Sequence, residues 1–377
     1  MGRLANEDKA TRYHRLRRRA SMTSAAGSAL FLLLLLATGA SAALRDLASQ
    51  VAAASGAGRA FFYVLIVALL HEMLQLPFAF YQGATLERRY GLSTQAPAAW
   101  WRDQIKATAL SLAFVALAAV IVWSLIRWSP ELWWVAAAAV FAILLVGLAQ
   151  LSPLLLLPLF YELRPLEREV LTRRLLHLAE RSGTTVAGVF EWRLSDRTRK
   201  ANAAFTGLGR TRRILLSDTL LGEYSDDEME VILAHELAHQ VHRDIWSAIA
   251  LETVLITAGF YAADRLLTLG SAAFGFTDKS DVAALPLVML ALGAVSICLV
   301  PLANAFSRAH ERRADRYALE MTGNAPAFIS AMRRLAAQNM AEERPSRLVE
   351  VLFYTHPPTL ARIEAARAWA AERQSIT

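Results

Sequence analysis

The sequence predicts a mainly α-helical polytopic membrane protein with a polar α+β domain set into it, and three observations carry that prediction. Of the 377 residues, 55% are hydrophobic, above the roughly 45–50% apolar usage of soluble domains even with glycine counted. Six apolar segments recur along the chain, most of them reaching the roughly 20 residues needed to cross hydrocarbon. Between the fourth and the fifth, residues 162–243 are polar enough to form a wet domain.

The first apolar segment, 24–44, holds an unbroken leucine run from Leu32 to Leu36 and follows Arg12, Arg15, Arg17, Arg18 and Arg19. Small residues at Thr38-Gly39-Ala40-Ser41-Ala42 would suit a signal peptidase, but the apolar stretch is long and more spans follow. Further spans are expected at 60–81, 105–126 and 132–157, with Trp123, Trp128, Trp133 and Trp134 crowding the joint between the last two as an interfacial belt. After the polar region come a short span at 246–263 and another at 282–306. The arginine-rich N-terminus and the basic loop 82–103 are placed in the cytoplasm. Four spans then return the chain to that side before Glu162, and the sixth returns it again at Ser307 and Arg308. The expected organisation is a basic N-terminus (1–23), four membrane helices (24–158), one part of a catalytic domain (159–245), a membrane hairpin (246–306) and the second part (307–377).

The formal net charge is +7, yet the basic residues sit beside apolar runs with no interleaved aromatics. That pattern points to membrane lipid and away from nucleic acid, and no obligate protein partner is indicated. Cys298 is the single cysteine and lies inside an apolar run, so no intrachain disulfide exists. The second span holds His71, Glu72, Gln75 and Pro77, and the fourth ends among Gln150, Pro153 and Pro158. Polar groups at that depth face either a wet cavity or a hydrogen-bonding partner helix.

Within the polar region, 166–180 has helical periodicity. Residues 186–193 and 212–217 read as strands, the second with Ile214, Leu215 and Leu216 buried. Asn202-Ala203-Ala204-Phe205, ahead of Gly207 and Gly209, reads as a turn between them. Ser225 is the expected N-cap of the next helix, with Glu228 completing a capping box. That helix runs through Val231 and Ile232 into His235-Glu236-Leu237-Ala238-His239. Residues four apart share a helix face, so two imidazoles can grip one metal ion with a glutamate beside them. This is the zinc-metallopeptidase pattern, with Glu236 as general base, and it makes the polar domain a zincin-like α+β catalytic domain holding one Zn2+ per chain.

A catalytic zinc needs a third protein ligand. His242 follows in the same row along the helix, whereas a metal must be approached from converging directions. His310 and Glu311 arrive on a second helix, and Glu311 and Asp315 share a face in Glu311-Arg312-Arg313-Ala314-Asp315. Glu311 can then ligate while Asp315 fixes a histidine tautomer. A salt-bridged surface helix is the plainer reading, but the hairpin between the two motifs brings both to one side of the membrane.

With these marks the chain resembles the Ste24-type CAAX prenyl protease family of M48 membrane zinc peptidases, from the second span onward. The resemblance rests on the two motifs, on Ser307-Arg308-Ala309-His310 leading into the second, and on Asn202-Ala203-Ala204. It rests also on Arg213-Ile214-Leu215-Leu216-Ser217-Asp218-Thr219-Leu220-Leu221 and Thr355-His356-Pro357-Pro358. It implies His235, His239 and Glu311 as zinc ligands, Glu236 as base, Asp315 as the carboxylate behind a ligand, and His356 as oxyanion donor. It also implies that Asn202 and Ala203 lie on an edge strand that pairs with extended substrate, and that Arg362 contacts substrate or the site's carboxylates. The family is described with seven spans around a water-filled chamber; six are read here. The expected activity is integral-membrane endopeptidase cleavage of CAAX-type or other membrane-associated peptides, lipidated or not, in a bacterial inner membrane with the catalytic domain toward the cytoplasm. The alternatives are a membrane-protein quality-control protease and a non-catalytic, chaperone-like binding protein. The second is disfavoured because neither a ligand nor Glu236 is missing.

Overall fold

The computed structural model describes residues 8–52, 55–207, 211–270, 273–276 and 278–375. Gly209 and the side chain of Pro153, both singled out above, lie outside the described residues. Helix α1 (Lys9–Ala37) ends where Gly39 takes φ +72°, a left-handed conformation that glycine adopts without a Cβ clash. The span expected at 24–44 therefore breaks there, and α2 (Ala40–Val51) follows as a separate amphipathic helix of 12 residues, too short to cross hydrocarbon. Next come α3 (Gly56–Phe80), prolonged by a π-turn over Tyr81–Leu86, α4 (Pro97–Trp128) and α5 (Trp133–Leu151).

The polar region begins with β1 (Leu163–Pro165) and α6 (Glu169–Arg181), then β2 (Gly188–Trp192), β3 (Ala203–Thr206) and β4 (Arg213–Ser217). The short α7 (Asp218–Glu223) leads to α8 (Asp226–Val241), α9 (Asp244–Gly270) and α10 (Leu285–Thr322). The chain closes with α11 (Ala325–Gln338), α12 (Arg347–Phe353) and α13 (Thr359–Gln374).

Among the described residues six helices are long and apolar enough to cross a membrane: α1, α3, α4, α5, α9 and α10. Helix α9 is not the short span that hydropathy suggests but a helix of 27 residues. The apolar reading stops near Asp264, whose buried carboxylate takes hydrogen bonds from Trp133 (2.8 Å) and Lys279 (2.8 Å) and pairs with Arg265. Tertiary pairing thus hides a charge that a linear reading counts as a stop. Helix α10 runs 38 residues without a break, so the second motif continues the sixth span itself.

Four strands form one sheet in the order β1-β2-β4-β3, with β2 and β4 parallel and the outer pairs antiparallel. Residues 203–206, expected as a turn, are instead the edge strand β3, paired to β4 from Ala203↔Leu216 to Thr206↔Arg213. The turn begins only at Gly207, with φ +89°, where a Cβ would lie 2.5 Å from the Thr211 carbonyl oxygen. Leu171, Leu175, Ile214, Leu216, Leu233 and Phe328 anchor a single core between sheet and helices, and it holds α8 rigidly.

The two ends of the membrane bundle differ. At one, Tyr13 donates to Glu87, Arg18 pairs with Glu342 (2.7 Å), and the Thr94 N–H donates to the Arg197 carbonyl (3.1 Å). The start of α1 and the loop after α3 therefore meet the polar domain. At the other end Ser41 donates to the Ala283 carbonyl (2.6 Å) and Arg45 pairs with Asp281 (2.6 Å). Inside the bundle His71 meets Ser28 (2.9 Å) and Gln75 donates to Ser28 (2.8 Å). His71 and Glu72 also border an otherwise apolar cavity of about 350 Å³. For His71 and Gln75 the hydrogen-bonding reading holds, because both meet Ser28 on a neighbouring helix.

Candidate active site

Helix α8 starts as its sequence dictates: the Ser225 hydroxyl accepts from the Glu228 N–H, and the Glu228 carboxylate accepts from the Ser225 N–H at 2.8 Å. Two turns on, His235 and His239 project on one face with ring centroids 5.1 Å apart and planes at 88°. From α10 comes Glu311, with Oε2 3.3 Å from His235 Nε2 and Oε1 3.5 Å from His239 Nε2. Those separations match two atoms each about 2.1 Å from one tetrahedral ion, which lie about 3.4 Å apart.

Behind the convergence point, each imidazole turns its other nitrogen to a carboxylate. His235 Nδ1 lies 2.9 Å from Asp315 Oδ1, and His239 Nδ1 lies 2.8 Å from Asp244 Oδ2. A carboxylate at Nδ1 fixes the tautomer that leaves Nε2 as the metal-facing lone pair. Glu311 Oε2 is buried and, for all its closeness to His235, has no hydrogen-bond partner. A buried anionic oxygen in that position is satisfied by a cation. The three ligand atoms lie within 4.8 Å of one another, so the residues present fit one zinc ion.

Burial draws the His235 imidazolium down, but the Asp315 and Glu311 carboxylates outweigh it and raise its pKa, so a metal ion would bind by displacing the Nε2 proton. Half-buried Glu236 has its pKa raised, chiefly by burial, against the pull of His235 and His239. A carboxylate so perturbed is a better proton acceptor than one in water. His356 brings Nε2 to 3.3 Å from Glu311 Oε1 with its side chain 59% exposed, so it faces the open side of the site. Its loop is tied to α10, because Arg308 donates to the carbonyls of Glu350 (3.0 Å) and Tyr354 (2.7 Å).

Arg362, from α13, donates through Nε to Asp315 at 2.8 Å and through Nη2 to the other oxygen. It thus touches a site carboxylate, one of its two expected partners. The Asn202 N–H donates to Ser217 Oγ and its carbonyl accepts from the Ser217 N–H, both at 2.9 Å. Ala203 opens edge strand β3, which packs on α8. His242 points elsewhere, its ring 5.6 Å from Tyr317, and His310 lies beside Phe306 and Ser247. Neither joins the cluster.

Two positions escaped the sequence reading. Asp244 also pairs with Arg313; its only signal was an acid five residues past His239, just beyond the helix end. Asn339 accepts from the Ala201 N–H (3.0 Å) and donates to the Ala201 carbonyl (3.1 Å), pinning the entry to β3. Nothing local in the sequence announces that contact.

Residues 165–370 match peptidase family M48, and residues 4–162 match the CAAX prenyl protease N-terminal family, described with five membrane helices. The chain belongs to peptidase family M48. It is of the Ste24 type, as read above from the motifs. It is 30% identical to the uncharacterized metalloprotease YhfN of Bacillus subtilis over 308 residues, 81% of this chain and 72% of that one. It is 27% identical to CAAX prenyl protease 1 of Saccharomyces cerevisiae over 322 residues, 80% and 70% of the two chains. The crystal structure of Ste24p from S. mikatae superposes with a TM-score of 0.85 at 22% identity, covering 95% of this chain and 88% of that one, which is a likeness of fold. This M48 chain is therefore a membrane-embedded zinc metalloendopeptidase with one metal site among the described residues, and it acts on membrane-associated peptide.

Proposed function

We propose that this M48 peptidase cleaves extended C-terminal segments of membrane-anchored proteins, CAAX-type segments with an attached isoprenyl group among them. The observation that carries the reading is the convergence of two Nε2 atoms and one carboxylate at the end of the bundle where α10 leaves the membrane. A substrate tethered by a lipid presents its peptide at that level. The CAAX prenyl proteases named in yeast and rice, with the rice homologue 28% identical over 303 residues, support the same substrate class.

In this reading residues 24–158 and 246–306 form the membrane bundle, and 159–245 with 307–377 form the two halves of the peptidase domain. His235, His239 and Glu311 hold the zinc, which supplies Lewis acidity toward the scissile carbonyl and acidifies water. Glu236 takes the proton from the attacking water and delivers it to the leaving amine. His356 donates to the developing oxyanion. Asp315 and Asp244 keep the two ligand imidazoles in the right tautomer, and Arg362 neutralises Asp315. Substrate backbone adds to the free edge of β3 from Ala203 onward, where main-chain hydrogen bonds give affinity with little sequence demand, and Asn202, whose main chain is spent on Ser217, contacts substrate through its side chain. The catalytic end faces the cytoplasm of a bacterial plasma membrane, as the arginines at the start of α1 favour.

The test uses full-length protein in detergent and a fluorogenic farnesylated peptide. Glu236→Gln keeps zinc and loses nearly all turnover, because an amide accepts no proton. His356→Ala keeps zinc and loses about 10²-fold in kcat, the worth of one oxyanion donor. Full turnover by Glu236→Gln would contradict the hydrolytic assignment.

A further inference from the structure

At the end of the bundle opposite the metal site, α3 begins, α4 ends, and the turn before α10 comes between them. There a polar pocket of about 260 Å³ is bordered by Arg45, Arg59, Arg127, Trp123, Asp278 and Asp281. Of the two acids, Asp281 is neutralised by the protein itself: its side chain is 2% exposed, pairs with Arg45 and accepts from the Ala283 N–H (3.0 Å). Asp278 is exposed at the rim, where one of its oxygens accepts from the Ser280 N–H and hydroxyl (2.6 Å each), so three arginines face two carboxylates and the pocket keeps a net positive charge. Among the described residues Arg59 and Arg127 have no carboxylate partner; the Arg127 guanidinium lies 5.2 Å from the Trp123 ring. Trp123 is held in turn, donating from Nε1 to the Ser280 carbonyl (3.0 Å). It closes on Gly56, where any Cβ would sit 2.6 Å from its ring.

We infer that this pocket binds the phosphate of an anionic glycerophospholipid, with an acyl chain in the apolar cavity beneath it. The inference concerns the bundle alone and does not depend on which peptide the site cleaves. Two unpaired guanidiniums converging on one pocket are the recognition chemistry of a phosphodiester. The pocket lies at the end of the bundle opposite the metal site, so the lipid it takes belongs to the leaflet on that side.

The apolar cavity of about 350 Å³ lies about one turn deeper. On α3 Tyr63 and Val64 follow Arg59, on α4 Val122 lies inside Arg127, and Leu285 at the start of α10 follows Val282 in the turn before it. From Tyr63 to His71 the cavity spans eight residues of α3, about 12 Å at 1.5 Å per residue. A free phosphate would use only the upper pocket. The cationic pocket and the apolar cavity follow one another along the same elements, and the head and tail of a lipid match the two in order.

The experiment uses zinc-loaded full-length protein stripped of lipid in neutral detergent. Phosphatidylglycerol, phosphatidylcholine or inorganic phosphate is added, and bound lipid is counted by native mass spectrometry alongside Tm. Phosphatidylglycerol raises Tm by several degrees and stays bound, whereas phosphatidylcholine and inorganic phosphate at equal concentration do not. The Arg59→Gln, Arg127→Gln double variant binds phosphatidylglycerol about tenfold more weakly, having lost its charge-assisted hydrogen bonds. Ala119→Phe, which fills the cavity below, also weakens the lipid. Zinc content and peptide turnover are unchanged in both variants, which shows that they fold. Equal retention of phosphatidylglycerol by the double variant, equal effects of the two lipids, or a full Tm rise from phosphate alone would overturn the inference.

Discussion

Glu311 and the two histidines take their geometry from residues one step removed. Asp315 shares the helix face of Glu311, as four-residue spacing predicts, and the structure puts it behind His235. Asp244 does the same for His239 from the start of a different helix, and it is shared with Arg313. Spacing rules reach the first and not the second, because the chain leaves α8 at Val241 and starts α9 at Asp244. Asp244→Ala should weaken zinc about 10–100-fold, the usual cost of losing the carboxylate behind a ligand imidazole. Competition with a chromogenic chelator measures it, and a titration curve superimposable on wild type would remove Asp244 from the site.

Elements with strong local signals are the ones the sequence discloses. Helix α8 has its capping box at Ser225 and Glu228 and buries Val231, Leu233 and Leu237 among its core positions. Ser225→Ala should cost about 1 kcal/mol, read as a lower denaturation midpoint in detergent with zinc stoichiometry retained. A midpoint equal to wild type would mean the cap does not limit the helix. Strand β3 has no such signal. Its residues Ala203-Ala204-Phe205-Thr206 include two alanines of poor strand propensity, and its structure comes from pairing with β4 and from Asn339 more than a hundred residues away. The limits of α9 are equally non-local, since Asp264 becomes tolerable in an apolar helix only once Lys279, Arg265 and Trp133 surround it. Helix α2 was absorbed into the first span because Gly39 alone separates two apolar stretches.

At the scale of the molecule, the count of six spans was legible because bilayer thickness fixes segment length. The family's N-terminal part is described with five membrane helices, while residues 8–162 contribute four long ones plus the 12-residue α2. An even number keeps the start of α1, the loop after α3 and the peptidase domain at one end, as the contacts of Tyr13, Arg18 and Thr94 require. Single cysteines placed at Ser129, Phe274 and Ser375 in a Cys298→Ala background check the orientation. A membrane-impermeant maleimide applied to intact cells should modify the first two and spare the third. Modification of Ser375→Cys from outside would invert the topology and move the substrate pool across the membrane.

The central claim is that one zinc site is closed across a membrane hairpin, with two ligands from α8 before it and one from α10 after it. Metal content of the purified full-length chain, by inductively coupled plasma mass spectrometry, tests this directly. Wild type and Glu236→Gln should each hold one zinc per chain, and Glu311→Ala should hold almost none, since three protein ligands are needed to retain it. Stoichiometric zinc in Glu311→Ala would contradict the account, leaving the metal to α8 alone and the hairpin without a part in the site.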